Sequence, residues 1–466
     1  MAAKHYDLIV IGAGSGGIAA ARAARFRGAS VAMVSDGPIG GDCTWTGCVP
    51  SKALLSAAGR GLDFEQAMAS VTTAVETVAN AEDAEALGRE GIDVLRGYGL
   101  LRGAGEVEVA GSIYCSKGVI LSPGSGPALP PIDGLDRVAF ITNERVFELK
   151  SQPQHLLILG GGPIGCEMAE AFARLGSTVT LLEAAERVLP RDDPAASAVI
   201  ARSLSTFGAD LCVGSGVVRV AAAGGGVDVE LADGATVRGS HLLVAAGRRP
   251  THMDMDLDGV GVRLDRRGWI EVNDTLETSL GGVYAVGDAI GGLQFTHAAA
   301  HMARLAVDNA LRVGATKVRR HRYDPSEIPW VTFTSPEVAQ VGMTEQEAVV
   351  CDLDIRVVEV PLHDVDRAVA AHRTDGFIKM LAAPRRGLGW LGGGRLVGAT
   401  IVADRAGEMI SEAALAIRTG MFVGRLAQTV HPYPTWSVGL SQAAAVLVGD
   451  YGGLAARTPR SPGADG

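Results

Sequence analysis

The sequence predicts an α/β fold: two Rossmann-like βαβ domains followed by a C-terminal α+β domain. Three observations carry this. A short apolar run, a Gly-x-Gly-x-x-Gly turn and a helical stretch occur in that order twice. The block after residue 328 mixes strands and helices without that glycine turn. At 466 residues the chain is also too long for one ordinary core.

In the first copy the run LIVI at 8–11 reads as a buried parallel strand and leads into Gly12, Gly14 and Gly17. An Ala-rich stretch at 18–27 reads as the helix, and 31–34 as the second strand. In the second copy the run at 155–159 leads into Gly160, Gly162 and Gly165. A helix at 166–175 and a strand at 178–182 close that unit. Between the copies, 63–89 reads as helical and 105–121 as short strands with turns. Strands near 227–231 and 241–245 lead to the turn AAGRRPT, and 281–288 reads as a buried strand ending Gly-Asp. The last block has strands at 330–333, 377–381 and 396–402 and a helix at 406–419. The polar tail 456–466 is expected to be disordered. The domain reading is therefore 1–150, 151–272, a return to the first domain at 273–325, and 326–455.

A hydrophobic fraction of 47% with 20% charged residues marks a folded globular protein. The net charge of −10, without a basic block, argues against nucleic acid as the main partner. The apolar start LIVIG is too short for a signal peptide or a membrane span, and no run of about 20 apolar residues follows. A cytoplasmic protein is expected. The six cysteines are scattered, so a disulfide framework is not expected, and the close pair Cys43 and Cys48 points to redox or metal chemistry.

The glycine motifs let the backbone turn tightly and approach a pyrophosphate seated on a helix N-terminus. The first copy departs at the end of its second strand. Where an acid for ribose hydroxyls is expected stands Ser35, with Asp36 beside it. In the second copy Glu183 is in place; a carboxylate there accepts from ribose hydroxyls and repels a 2′-phosphate. NADH is therefore expected over NADPH, although Arg187 nearby keeps NADPH open, and Glu183 as a plain surface acid is the bland alternative.

Cys43 and Cys48 lie in GGDCTWTGCVPSK. Zinc would need two more ligands at matching spacing, and none stands nearby. The spacing can close a disulfide just ahead of a helix, whose N-terminus would lower a thiol pKa. Lys52, four residues after Cys48, falls on the same helical face.

The motif GGDCTWTGCVPSK resembles the redox-active motif of the flavoprotein disulfide reductases, the family of dihydrolipoamide dehydrogenase, glutathione reductase and mercuric reductase. The likeness runs through both fingerprints, AAGRRPT, TSLGGVYAVGD and a C-terminal block with IPWVTFTSPEVAQVGMTE and GATIVADRAGEMISE. It implies FAD on the first fingerprint, a nicotinamide nucleotide on the second, and a C-terminal dimerisation domain in a homodimer. It implies that Cys48 is the thiolate beside the flavin, that Cys43 meets a disulfide acceptor, and that Lys52 pairs with Glu167 near the flavin. For Glu167 the bland alternative is an ordinary helix-face acid. The resemblance also implies that Asp288 binds the ribitol chain, with Gly247, Thr278 and Gly287 in the surrounding motifs.

The pattern breaks at the C-terminus. Family members that act on disulfides or dihydrolipoamide carry a His and, five residues on, a Glu. Aligned on Pro434-Thr435, those positions here are Tyr433 and Val438. Prolines 432 and 434 favour an extended chain, in which His431 and Tyr433 point to the same side. Three readings stand: His431 substitutes as acid–base, Tyr433 faces the thiols, or His431 is a packed interface histidine. The segments 364–368 and GFIKM resemble the mercuric-reductase-like branch. That branch delivers its metal through a C-terminal cysteine pair, and this sequence has no cysteine after Cys351 and shows no N-terminal metal-binding domain. The expected activity is thus transfer of electrons from NADH through FAD and the cysteine pair to a disulfide or dithiol substrate. Metal-ion or quinone reduction at the same centre is the alternative, and a redox sensor with negligible turnover a third.

Overall fold

The structure, a computed structural model, describes residues 4–312 and 318–460. The described chain divides into two compact units. The first is drawn from segments 1–130, 141–151 and 246–325, the second from 131–140, 152–245 and 326–466. In this division Ala246 begins the last segment of the first unit. Residues 246–251 of the turn AAGRRPT lie in the first unit. Its strand Arg248–Pro250 pairs with Ser125–Pro127 there.

The first unit centres on a five-stranded sheet in the order Val283–Ala285, Val119–Leu121, Leu8–Ile11, Val31–Ser35, Ile92–Arg96. All its neighbours are parallel. Leu8–Ile11 is buried at every position, as a strand covered on both faces requires. The helix Ser15–Phe26 follows it, and its alanines allow close packing on the helix Thr296–Leu311, tied by the Arg27–Asp308 ion pair. The expected helical stretch at 63–89 is two helices, Phe64–Ala81 and Ala84–Arg89. Asp63 caps the first through a capping box, and Asp83 caps the second and so divides them.

The second unit holds the other fingerprint on a four-stranded parallel sheet: Ala209–Val213, Thr178–Glu183, His155–Leu159, His241–Val244. Its later part is a five-stranded antiparallel sheet: Trp330–Thr332, Glu337–Gly342, Arg395–Ala403, Phe377–Ala383, Arg356–Pro361. The helices Ala406–Arg418 and Val438–Val448 bury Met409, Leu440 and Leu447 in one cluster with Ile378, Met380 and Ile401. The tail expected from 456 is held for its first residues. Arg457 pairs with Val357 by backbone bonds in both directions and with the Glu345 carboxylate. Residues 461–466 lie outside the described residues.

Candidate active site

The two fingerprints share one division of labour among their glycines. At Gly12, with φ +108°, a Cβ would collide with the Ser122 carbonyl, and at Gly17 with the Gly12 carbonyl. Gly160 (φ +112°) and Gly165 repeat the arrangement, a Cβ on Gly165 colliding with the Gly160 carbonyl. Protein atoms crowd Gly12, Gly17 and Gly165, and Gly160 needs glycine for its left-handed backbone. The middle glycines are different: Gly162 has no atom within 4 Å of a built Cβ, and Gly14 only Gly41 Cα at 3.9 Å. Neither helix that they open has a side-chain cap, so the first amides of both are open to an anion. Open space over uncapped amides is what a dinucleotide pyrophosphate requires, so both cradles fit the cofactors the fold implies.

The redox segment is stitched to the first cradle. Gly14 bridges Gly40, and Gly40 N donates to Ala13 O at 2.9 Å. Cys43 lies in the short helix Gly41–Trp45, and Cys48 is the first residue of the helix Cys48–Gly59. The side chains of the two cysteines meet in a hydrogen bond. The Cys48 sulfur lies 3.5 Å from the hydroxyl of Thr296, first residue of its helix, and Ser15, first residue of the fingerprint helix, bonds to Cys43. Three helix N-termini thus face the pair, an arrangement that favours a thiolate. The hydrogen bond to Cys48, burial and the Cys48 charge push the Cys43 thiol up, and the two hydroxyls pull only partly against them. The reduced pair therefore holds one negative charge more readily than two.

Arg248 joins this segment to the second motif. Its Nη2 pairs with the Asp42 carboxylate, next to Cys43, and donates to Ser125 O at 2.9 Å. Its Nε donates to Ser125 Oγ at 2.6 Å and lies 3.2 Å from Asp288 Oδ2. Ser125 Oγ donates to Asp288 at 2.7 Å. One guanidinium therefore offsets two carboxylates beside the FAD cradle. Gly247 precedes it at φ +125°, a conformation that favours glycine, and Gly287 opens the short helix that carries Asp288. Sequence reading missed Arg248, Ser125 and Thr296. AAGRRPT offered two arginines, and only the structure shows that Arg248 faces inward while Arg249 donates to Pro127 O.

At the end of the first βαβ unit Ser35 is buried and donates to Gly37 O at 2.8 Å, while Asp36 is exposed. In the second unit Glu183 accepts from Gly161 N at 2.6 Å and Ala185 N at 2.8 Å. Arg187 turns inward, with Nη2 donating to Pro190 O and Asp192 O. Glu167 is buried on the helix Pro163–Arg174 and accepts from Phe333 N at 3.1 Å. Lys52 donates to Ser51 Oγ at 3.3 Å on the redox helix.

The expectation that His431 and Tyr433 share a side fails. The His431 ring is 8% exposed, with Nε2 3.1 Å from both oxygens of Glu412 and Nδ1 2.9 Å from Thr429 O. Both ring nitrogens are thus engaged by oxygens of the chain itself. Tyr433 is 72% exposed, and its hydroxyl donates to Asp366 at 2.8 Å. The bond to Asp366 and that carboxylate's charge hold the phenol above its ordinary pKa. The missing Glu at 438 thus has a counterpart in Glu412, a residue outside the expected spacing, but it holds His431 in place rather than presenting it.

Residues 6–303 match the family described as pyridine nucleotide-disulphide oxidoreductase, and residues 328–444 match its dimerisation domain. The chain is 36% identical to a mercuric reductase of Streptomyces lividans, over 96% of this chain and 97% of that protein. It is 34% identical to a dihydrolipoyl dehydrogenase of Thermus scotoductus, over 95% and 98%. Among solved structures, the Cu(II) complex of the HOCl-induced flavoprotein disulfide reductase RclA of Escherichia coli superposes with a TM-score of 0.85. That match has 28% identity and covers 95% of this chain and 99% of the other.

Proposed function

Since this chain belongs to the pyridine nucleotide-disulphide oxidoreductase family, an FAD- and NAD(P)H-dependent one, we propose that it uses NADH to reduce a disulfide through Cys43 and Cys48. The observation that carries this is the contact of the two thiols beneath the hydroxyls of Ser15 and Thr296, at helix N-termini. Bound FAD supplies the two-electron relay between nicotinamide and cysteine pair. The chain's own residues do the rest. The first amides of the two fingerprint helices take the pyrophosphates. Glu183 accepts from the adenosine ribose, which favours NADH. Arg248 and Asp288 order the ribitol side, and Asp36 lies at the adenosine end of that cradle. Lys52 acts beside the redox centre, as the family resemblance implies. Thr296 steadies the negative charge on Cys48. Cys43, held protonated, attacks one sulfur of the acceptor disulfide as its proton passes to the departing thiolate; Cys48 then attacks Cys43 in the mixed disulfide, which re-forms the Cys43–Cys48 bond and releases the second thiolate.

The acceptor side is built for something other than a histidine base. With both nitrogens of His431 engaged, Tyr433 is the group presented from the C-terminal segment, and in a homodimer it serves the partner's cysteines. This favours a second reading, reduction of a metal ion or quinone at the same centre, the activity that the mercuric reductase relatives' name carries for metal. The location proposed is the cytoplasm, where scattered cysteines such as Cys115, Cys166, Cys212 and Cys351 stay reduced; among the described residues no helix is long and apolar enough to cross a membrane. Steady-state rates with NADH and a panel of disulfides, dihydrolipoamide, mercuric ion and quinones test the reading. Disulfide turnover abolished by Cys43→Ser supports it; quinone turnover that survives Cys43→Ser while disulfides are inert overturns it.

A further inference from the structure

The loop that follows Glu183 is fastened at three places within the second unit. Leu189 N donates to Gly161 O at 2.8 Å, so the loop folds back on the fingerprint. Asp192 accepts from Trp330 Nε1 at 2.9 Å. Asp193 is 3% exposed; one of its oxygens caps the helix Pro194–Thr206 through Ala195 N at 2.9 Å, and the other takes Lys379 Nζ at 2.8 Å. Lys379 is 4% exposed, in a strand otherwise apolar. It also meets Glu345 at 2.9 Å and Glu359 at 3.3 Å, and Glu345 is held in turn by Arg457. A charge this deep keeps one geometry, because losing a partner leaves an uncompensated ion.

That geometry decides where Arg187 points. The guanidinium donates to two carbonyls of its own loop, Pro190 O and Asp192 O, while its Nε is buried with no partner. A buried N–H left unmade is unfavourable. The inward pose is therefore imposed by the loop rather than sought by the side chain. Released, the guanidinium would gain by turning to an anion, and the nearest nucleotide position at the end of this strand is the adenosine 2′-oxygen.

We propose that the Lys379–Asp193 pair, aided by Trp330–Asp192, is a remote selectivity element for the nicotinamide cofactor. By pinning the loop it keeps Arg187 turned inward, so the pocket accepts an adenosine with a free 2′-hydroxyl and refuses a 2′-phosphate. Lys379 is a positioning residue here, acting through the loop. The inference rests on the NADH reading above.

The test is calorimetric binding of ADP-ribose and of its 2′-phosphate to the FAD-loaded protein, alongside KM for NADH and NADPH. Wild type is expected to bind ADP-ribose at least about tenfold more tightly. Lys379→Met should narrow that preference about fivefold or more, chiefly by tighter binding of the 2′-phosphate. Lys379→Arg should keep the wild-type ratio, and the double variant Lys379→Met/Arg187→Ala should restore it. Trp330→Phe, a milder change suited to a Lys379→Met chain that does not fold, should shift the ratio in the same direction and less. A folded Lys379→Met with an unchanged ratio overturns the proposal. So does a narrowing that persists without Arg187. If wild type itself prefers the 2′-phosphate, the NADH reading fails, while the comparison of variants still decides whether Lys379 acts through Arg187.

Discussion

The two βαβ units carry the same turn and put different chemistry on the loop after their second strand. In the first, Ser35 closes the strand end on Gly37 O, and the loop beyond is stitched to Gly14 by Gly40, which delivers Cys43 to the cradle. In the second, Glu183 holds Gly161 N, and the loop beyond is stitched to Gly161 O by Leu189. One loop carries Cys43; the other carries Glu183 and turns Arg187 onto its own carbonyls. Loops that depart from a rigid sheet edge can diverge without disturbing the core.

Changes in the first loop should have the largest effects. Cys43→Ser and Cys48→Ser are each expected to lower disulfide turnover by about 10³-fold or more, measured with NADH and the best disulfide of the panel, while flavin stays bound. If either keeps more than a tenth of the wild-type rate, the loops do not differ as argued. Next comes the shared turn. Gly17→Ala forces a methyl into the Gly12 carbonyl and should release FAD during gel filtration, whereas Gly162→Ala, with open space around it, should fold normally and only weaken NADH. Equal loss of flavin in both would contradict the division between crowded and open glycines.

On the proposed role at the adenosine end, away from the reacting atoms, Glu183→Ala should raise KM for NADH about tenfold with kcat nearly unchanged. An effect on kcat alone would sink that assignment. Arg248→Met should weaken FAD about tenfold, with Arg248→Met/Asp42→Asn recovering part of the loss, since removing the cation leaves Asp42 and Asp288 uncompensated. No recovery would mean that Asp42 is not part of the balance.

The smallest effect concerns the anchor under the second loop. Burial pushes the Glu345 carboxyl up, but Arg457 and Lys379 outweigh it and hold it at about 2, below its ordinary 4.5. The stabilisation is therefore present above pH about 4.5 and lost as pH falls toward 2. The melting temperature should drop over that window, and less steeply in Glu345→Gln, whose melting temperature is lower from the outset. A Glu345→Gln chain with the wild-type acid slope removes Glu345 from the balance.

Much of this was legible because it is written in local pattern. The runs at 8–11 and 155–159 lead into glycines at one spacing, and that spacing follows from the positive φ at Gly12 and Gly160 and from the local collisions of a Cβ on Gly17 or Gly165 with the Gly12 or Gly160 carbonyl. The Cys43–Cys48 segment was legible for the same reason. What escaped depends on partners distant in sequence. The 248–288 and 42–248 contacts, and the 412–431 pair, have no local signature. Lys379 did leave one: a lysine in FIKMLAA, a strand buried at every position, demands buried acids, though not which. The 431/433 error came from reading local chain direction alone, when Glu412 draws one ring inward and Asp366 holds the other at the surface.

The most direct test of the central claim follows electrons into the first loop. After one equivalent of NADH is added anaerobically to the oxidised protein, differential alkylation read by mass spectrometry should label both Cys43 and Cys48. Neither should be labelled without NADH, and Cys115, Cys166, Cys212 and Cys351 should keep their labelling. Bleaching of the flavin with Cys43 and Cys48 still joined and unlabelled would contradict the account.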